Sequence, residues 1–179
     1  MLQNYNKWKV LKVFFENPKP QDAGFQLREI SRITSIATTS VKLYLNELIK
    51  DGLVISTKHR IFTYPVYRGN MDNVEFRFLK KIDTILTIRE SGLIDHLENH
   101  VIPDVIILFG SASKGEDLIE SDIDLFLLCK ERKLDLTFFE NKIKKKISLL
   151  FSENFGDLSN ELKNNLLNGV ILKGYLKVF

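Results

Sequence analysis

Val105-Ile106-Ile107-Leu108-Phe109-Gly110-Ser111-Ala112-Ser113-Lys114-Gly115, continuing as Glu116-Asp117-Leu118-Ile119-Glu120-Ser121-Asp122-Ile123-Asp124, is the stretch that decides the fold of this 179-residue chain. An unbroken apolar run of strand length is the pattern of a sheet covered on both faces. Gly110 lets the backbone approach a ligand closely, the Ser111 hydroxyl can donate to a phosphate oxygen, and a short helix starting near Ala112 would aim free amides at an anion. A second apolar strand then opens with two carboxylates. Residues two apart on a strand share a face at about 6.6 Å, so Asp122 and Asp124 converge while Ile123 and Leu125 turn to the opposite layer. Acids at a strand entrance can simply face solvent, but a pair ahead of Leu125-Phe126-Leu127-Leu128 calls for a cation. A Mg²⁺ ion carrying nucleotide phosphates would satisfy both the acids and the serine-bearing turn.

Two other readings fail on composition. Gly110 and Gly115 have P-loop spacing, yet Glu116-Asp117 stands where a Lys-Ser/Thr pair should follow and would repel phosphate. Asp122-Ile123-Asp124 opens like a calcium-binding EF-hand loop, but Leu125-Phe126-Leu127 replaces its polar ligands and glycine.

Gly110-Ser111, ten residues, then Asp122-Ile123-Asp124 resembles the signature of the minimal nucleotidyltransferases of the DNA polymerase β superfamily. Ser121-Asp122-Ile123-Asp124-Leu125 is similar to the second half of that signature, and Lys114-Gly115-Glu116 to the Arg/Lys-Gly-Glu often found between the halves. The resemblance covers about residues 103–151. It implies a Mg²⁺-dependent (or Mn²⁺-dependent) transfer of a nucleoside monophosphate from a nucleoside triphosphate, with ATP the expected donor, to an acceptor hydroxyl. It further implies that Gly110 and Ser111 hold the β- and γ-phosphates, that Lys114 adds charge, and that Asp122 and Asp124 bind metal and are the catalytic acids. The family carries a third carboxylate on a later strand, here Ile147-Ser148-Leu149-Leu150-Phe151, where the expected position is Ser148. Glu153, just beyond, is the available substitute, and Asp135 comes too early. With two acids, nucleotide binding should survive better than activation of the acceptor hydroxyl.

Outward toward the N-terminus the character changes. Residues 1–70 hold 11 Lys+Arg against 5 Asp+Glu, and residues 71–179 hold 15 against 18, a basic front and an acidic rear. Trp8, Leu11, Phe14 and Phe15 recur at helical spacing until Asn17-Pro18-Lys19-Pro20 stops the helix. Residues 27–33 read as a short amphipathic helix, and a third, capped by Thr38 or Thr39, runs through Val41, Leu45, Leu48 and Ile49 to Asp51-Gly52. Leu53-Val54-Ile55-Ser56-Thr57 and Ile61-Phe62-Thr63-Tyr64 read as a β-hairpin with Lys58-His59-Arg60 at its tip. Together, over about residues 4–68, these resemble a winged helix-turn-helix domain. On that reading Thr39, Ser40, Lys42 and Tyr44 face a DNA major groove while Lys58 and Arg60 touch phosphate. Winged helices also serve as dimerisation or docking modules, so the fold alone does not fix that role.

Between the two lies a long amphipathic helix over residues 72–92 and a second over 93–101. His96 and His100, four apart, could share a helix face, but the absence of a clustered third ligand favours surface histidines over zinc. Lys142-Ile143-Lys144-Lys145-Lys146 reads as the wet face of a helix over 137–146 in preference to a phosphate channel. Residues 158–168 and 170–172 read as a packing helix and strand. Cys129 ends an apolar run and reads as a small core residue. No run approaches the ~20 apolar residues of a membrane span and the N-terminus has no apolar leader core, so a soluble, cytoplasmic protein is expected.

The expected class is therefore α+β: a winged helix-turn-helix domain (1–70), a helical linker (71–102) and a polymerase-β-like nucleotidyltransferase domain with a mixed sheet flanked by helices (103–179). The combination is similar to prokaryotic, especially archaeal, proteins fusing these modules. The expected partners are a nucleoside triphosphate, double-stranded DNA, a protein acceptor such as a toxin, and a second copy of the chain, with no membrane. The alternative is a DNA-binding regulator or antitoxin-like protein whose second domain binds nucleotide or dimerises without turnover.

Overall fold

The apolar periodicity at the front of the chain becomes helices α1 (Asn6–Glu16), α2 (Leu27–Thr34) and α3 (Thr38–Lys50). In this computed structural model, which describes residues 5–18, 23–59 and 63–177, the chain divides into two compact units, Met1–Lys80 and Lys81–Phe179. Val10, Phe14, Ile30, Val41, Leu45 and Leu48 are fully or almost fully buried in one cluster. Phe14 meets Phe25 edge to face at 5.9 Å between ring centroids, a preferred aromatic geometry. The cap of α3 is Ala37, so Thr38 and Thr39 lie inside its first turn instead of capping it.

Strands β1 (Val54–Lys58) and β2 (Pro65–Gly69) pair antiparallel, Val54 opposite Gly69 and Lys58 opposite Pro65. Of the run 61–64 expected to form the second strand, Thr63 and Tyr64 lie outside any strand, and Ile61 and Phe62 are outside the described residues. The Tyr67 backbone exchanges hydrogen bonds of 2.8 and 2.9 Å with Phe25, so β2 is held by β1 on one edge and by a distant residue on the other. Tyr64 lies in the connection, its carbonyl accepting from the His59 N–H at 2.8 Å. Asn4, Lys19, Pro20, Arg60, Ile61 and Phe62, used in the sequence reading, lie outside the described residues.

Helix α4 (Val74–Ser91) runs through the division at Lys80 and Lys81, with Phe76 in the first cluster and Ile88 in a second. The second unit continues with α5 (Leu93–Val101), β3 (Val105–Phe109), β4 (Ile123–Leu128), α6 (Thr137–Ile143), β5 (Ile147–Ser152), α7 (Asn160–Leu167) and β6 (Val170–Gly174). Its strands form a mixed sheet of order β5-β4-β3-β6, antiparallel except for the parallel pair β4 and β5. Alternation sorts the side chains into two layers. Ile106, Leu108, Ile123, Leu125 and Leu127 join Leu93, Leu97 and Phe139 on one face, while Val105, Ile107 and Phe126 join Phe155 and Leu166 of α7 on the other. Val105, Ile106, Ile107 and Leu108 are each 0% exposed, as an unbroken apolar strand covered on both faces requires. This α+β architecture, a mixed sheet with helices, fits a polymerase-β-like domain. No helix among the described residues is long and apolar enough to cross a membrane.

Helix α6 stops at Ile143, three residues earlier than its lysine-rich sequence suggests, because Lys144 takes a left-handed conformation (φ 62°) that ends the hydrogen-bond ladder. The histidine rings on α5 lie 4.1 Å apart between centroids, tilted by 33°, with His96 also against Phe139 at 4.8 Å. Cys129 is half-buried beside the second cluster, and burial raises its thiol pKa.

Candidate nucleotide and metal site

The site forms where β3 ends and β4 begins. Antiparallel pairing sets Phe109 opposite Asp124, so the residue after Phe109 must pass close to that carboxylate. Gly110 does so with φ 71°, and a Cβ added there would run into Asp124 Oδ2. Glycine is required here twice over, for its left-handed backbone and for the space its missing side chain leaves. The sequence reading gave Gly110 a ligand-facing role; the structure adds that it makes room for the acid.

A 3-10 turn, Ala112–Lys114, follows. Its leading N–H groups have no partner inside so short a turn. Ser111 is half-buried at its start, and its carbonyl accepts from the Lys114 and Glu116 N–H groups at 3.1 and 3.0 Å. The hydroxyl that rigidifies the turn is that of Ser113, 3% exposed and donating to the Gly110 carbonyl at 2.8 Å. The small-residue run Ala112-Ser113 was the only hint of it. Lys114 is exposed at the end of the turn.

Asp124 is the second residue of β4 and half-buried; Asp122 is exposed and stands just ahead of the strand. Alternation places Asp124 on the same face as Phe126, toward the α7 layer. Burial raises the Asp124 carboxyl pKa above its ordinary range, and the negative charge of Asp122 adds to the effect. Two crowded carboxylates, one losing hydration, are a donor set that a cation would relieve. Among the described residues no group of three or more His, Cys, Asp or Glu side chains is clustered. The pair alone fits Mg²⁺, which binds through one or two carboxylates together with substrate phosphates and water.

The parallel pairing of β4 with β5 puts Ser148 directly beside Asp124, exposed and at the same level of the sheet. The expected place of the third acid is thus next to the site, and it holds a hydroxyl. Glu153 does not replace it. It follows the far end of β5, where Ser152 pairs with Leu128, five residues and about 16 Å along the strand from Ser148. There it lines a cavity with Phe155 and Lys163. Asp135 accepts from the Thr137 N–H at 3.0 Å at the start of α6.

The lysine run is likewise revised. Lys145 is not on a wet face: its side chain is 14% exposed and pairs with Asp117, itself 1% exposed. Lys146 is exposed and bonds Glu140 at 2.8 Å, while Glu140 also accepts from the Ile147 N–H at 3.1 Å, securing the entry to β5. That bond to Lys146 is the largest cause of the lowered Glu140 pKa. No local periodicity announced the Asp117–Lys145 pair, since its members are 28 positions apart.

In the first unit, Thr39 and Lys42 are exposed on α3, Ser40 is half-buried, and Lys58 is exposed at the end of β1. Tyr44, expected on the open face, is half-buried and packs against the first cluster. Arg60 lies outside the described residues.

Residues 91–176 match the family model described as polymerase beta, nucleotidyltransferase. The matched segment contains the Gly110-Ser111 turn, both acids and every strand of the mixed sheet. It supports a place for the second unit in the nucleotidyltransferase superfamily and nucleotidyl transfer as its general chemistry. No curated protein matches the chain.

Proposed function

We propose that the second unit is a nucleotidyltransferase moving a nucleoside monophosphate, AMP from ATP, to an acceptor hydroxyl. The single observation that carries this reading is the approach of the Asp124 carboxylate to Gly110 within a segment matching that superfamily. Gly110 and Ser111 seat the β- and γ-phosphates, Lys114 adds positive charge, and Asp122 with Asp124 hold Mg²⁺ (or Mn²⁺). When bound, that cation neutralises phosphate oxygens and templates the reaction. The acceptor oxygen forms a bond to the α-phosphorus, the bond from that phosphorus to the bridging oxygen breaks, and pyrophosphate leaves while the acceptor proton passes to solvent. Ser148, with no carboxylate beside Asp124, offers little help in removing that proton.

The first unit, on this reading, is a winged helix-turn-helix module of a cytoplasmic, prokaryotic protein. It presents Thr39, Ser40, Lys42 and Lys58 to double-stranded DNA, supported by the basic charge of residues 1–70. The acceptor is a hydroxyl on a partner protein such as a toxin. The test is incubation with α-labelled ATP and Mg²⁺ alongside Asp122→Asn and Asp124→Asn. Transfer that both changes reduce by at least about 10³-fold is expected, as loss of several kcal/mol of charge stabilisation requires; transfer indifferent to both sinks the reading.

Ser148 beside Asp124 favours a second reading, a DNA-binding regulator or antitoxin-like protein whose second unit binds nucleotide or self-associates without turnover. Robust turnover by the native protein demotes it. Absence of salt-sensitive DNA binding removes it.

A further inference from the structure

We propose that Asp117 and Lys145 form an internal clamp that fixes the phosphate-seating turn relative to the acid pair, making both positioning residues for the nucleotide; this rests on the nucleotide reading above. The loop from Gly115 to Asp122 joins the turn to β4, and Leu118, Ile119 and Glu120 on it are exposed. Such a segment has little packing to hold its shape. It is tied at its start by the Glu116 N–H to the Ser111 carbonyl at 3.0 Å. At its end, Ser121 accepts from the Leu118 N–H at 2.9 Å and donates its own N–H to the Leu118 carbonyl at 3.2 Å. The first tie runs back to the turn and those of Ser121 stay within the loop. Lys145 ties it to the rest of the unit: its Nζ bonds Asp117 Oδ2 and also donates to the Leu118 carbonyl at 2.8 Å.

The neighbouring residue of the same segment holds the acids. The Lys146 carbonyl accepts from the Ile123 N–H at 2.8 Å, and Ile123 stands between Asp122 and Asp124. Consecutive residues therefore grip the loop and the first residue of β4, and the left-handed Lys144 sets their entry. Displacing Lys145 would let the turn drift from acids that Lys146 still holds. Stability alone does not account for such a pair, because a buried ion pair loses in desolvation much of what it gains and apolar replacements are often neutral. A role in fixing geometry does account for it.

The double variant Asp117→Leu/Lys145→Met separates the two roles, since it removes both charges together. Thermal melting, binding of a fluorescent ATP analogue with Mg²⁺, and amide hydrogen exchange across residues 116–121 are measured on the full chain. Expected are a midpoint within a few degrees of the native protein, at least about tenfold weaker nucleotide binding, and at least about tenfold faster loop exchange, with Lys145→Arg recovering most of the affinity. Unchanged affinity and unchanged exchange in the folded double variant overturn the clamp. Should the double variant fail to fold, Asp117→Asn decides, with weaker binding and faster exchange expected and native values overturning. Exchange reads the clamp without ligand, whereas failure of the native protein to bind the analogue overturns the nucleotide reading itself.

Discussion

Among the described residues the two units differ in how many polar side chains they bury, Lys80 in the first against Asp83, Ser91, Ser113 and Asp117 in the second. Among the described residues of the first, the buried set is apolar apart from Lys80, and the ion pairs of Lys7 with Glu47 and Asp51 and of Lys12 with Glu16 lie at the surface. Pairs of that kind contribute little. The second unit buries Ser113 and Asp117 beside the Gly110 turn and holds Asp124 where burial raises its pKa. A polar group is costly to bury, so its placement points to a task beyond packing. The first unit reads as a scaffold whose work is done on its surface, and the second as a scaffold whose work reaches inward.

The largest effect that would break this contrast lies in the first core. Phe14, 1% exposed and edge-on to Phe25, should cost about 3–5 kcal/mol when changed to Ala, measured by urea unfolding. A cost below about 1 kcal/mol would mean that apolar packing is not what holds the first unit. Next comes the gap in the second unit. Ser148→Asp places an acid beside Asp124 and should raise transfer by about 10²-fold in the labelled-ATP assay, the scale of a positioned general base. Activity appearing only in that variant would favour the regulator reading of the native chain.

Gly110→Ala should weaken Mg²⁺-nucleotide binding by about tenfold and cost about 1–2 kcal/mol, because the new Cβ meets Asp124 on a left-handed backbone. Calorimetric titration and melting check the two parts. The smallest effect is at His96, whose pKa is lowered by burial first and by the neighbouring His100 second. A folded value below the unfolded one means that the unfolded chain binds more protons. Stability is then fully present above the unfolded value near 6.5 and falls as pH drops through the folded one. Melting at pH 8 and pH 5.5 should show this loss in the native protein and a smaller one in His96→Leu.

Much of this was legible in local pattern. Val41, Leu45 and Leu48 mark one face of α3, and the alternation of Ile123, Asp124 and Leu125 assigns each side chain its layer, because helix and strand periods act over a few residues. The errors came where partners lie far apart in the chain. The second described strand of the first unit is Pro65–Gly69, bridged through Tyr67 to the distant Phe25, and Lys145 left the wet face expected of it to meet Asp117. Glu153 looked near Ser148 by number, yet sits at the other end of β5.

The sequence by itself determined that Gly110-Ser111 would follow one apolar strand and that Asp122 and Asp124 would stand at the entry of the next, since residue type and spacing suffice for that. Only the tertiary structure decided that Gly110 packs on Asp124, that Ser148 stands beside it, and that Lys145 anchors the loop between. Those facts depend on strand register and on contacts between residues far apart in the chain, up to 28 positions for Asp117 and Lys145, which local propensity does not encode.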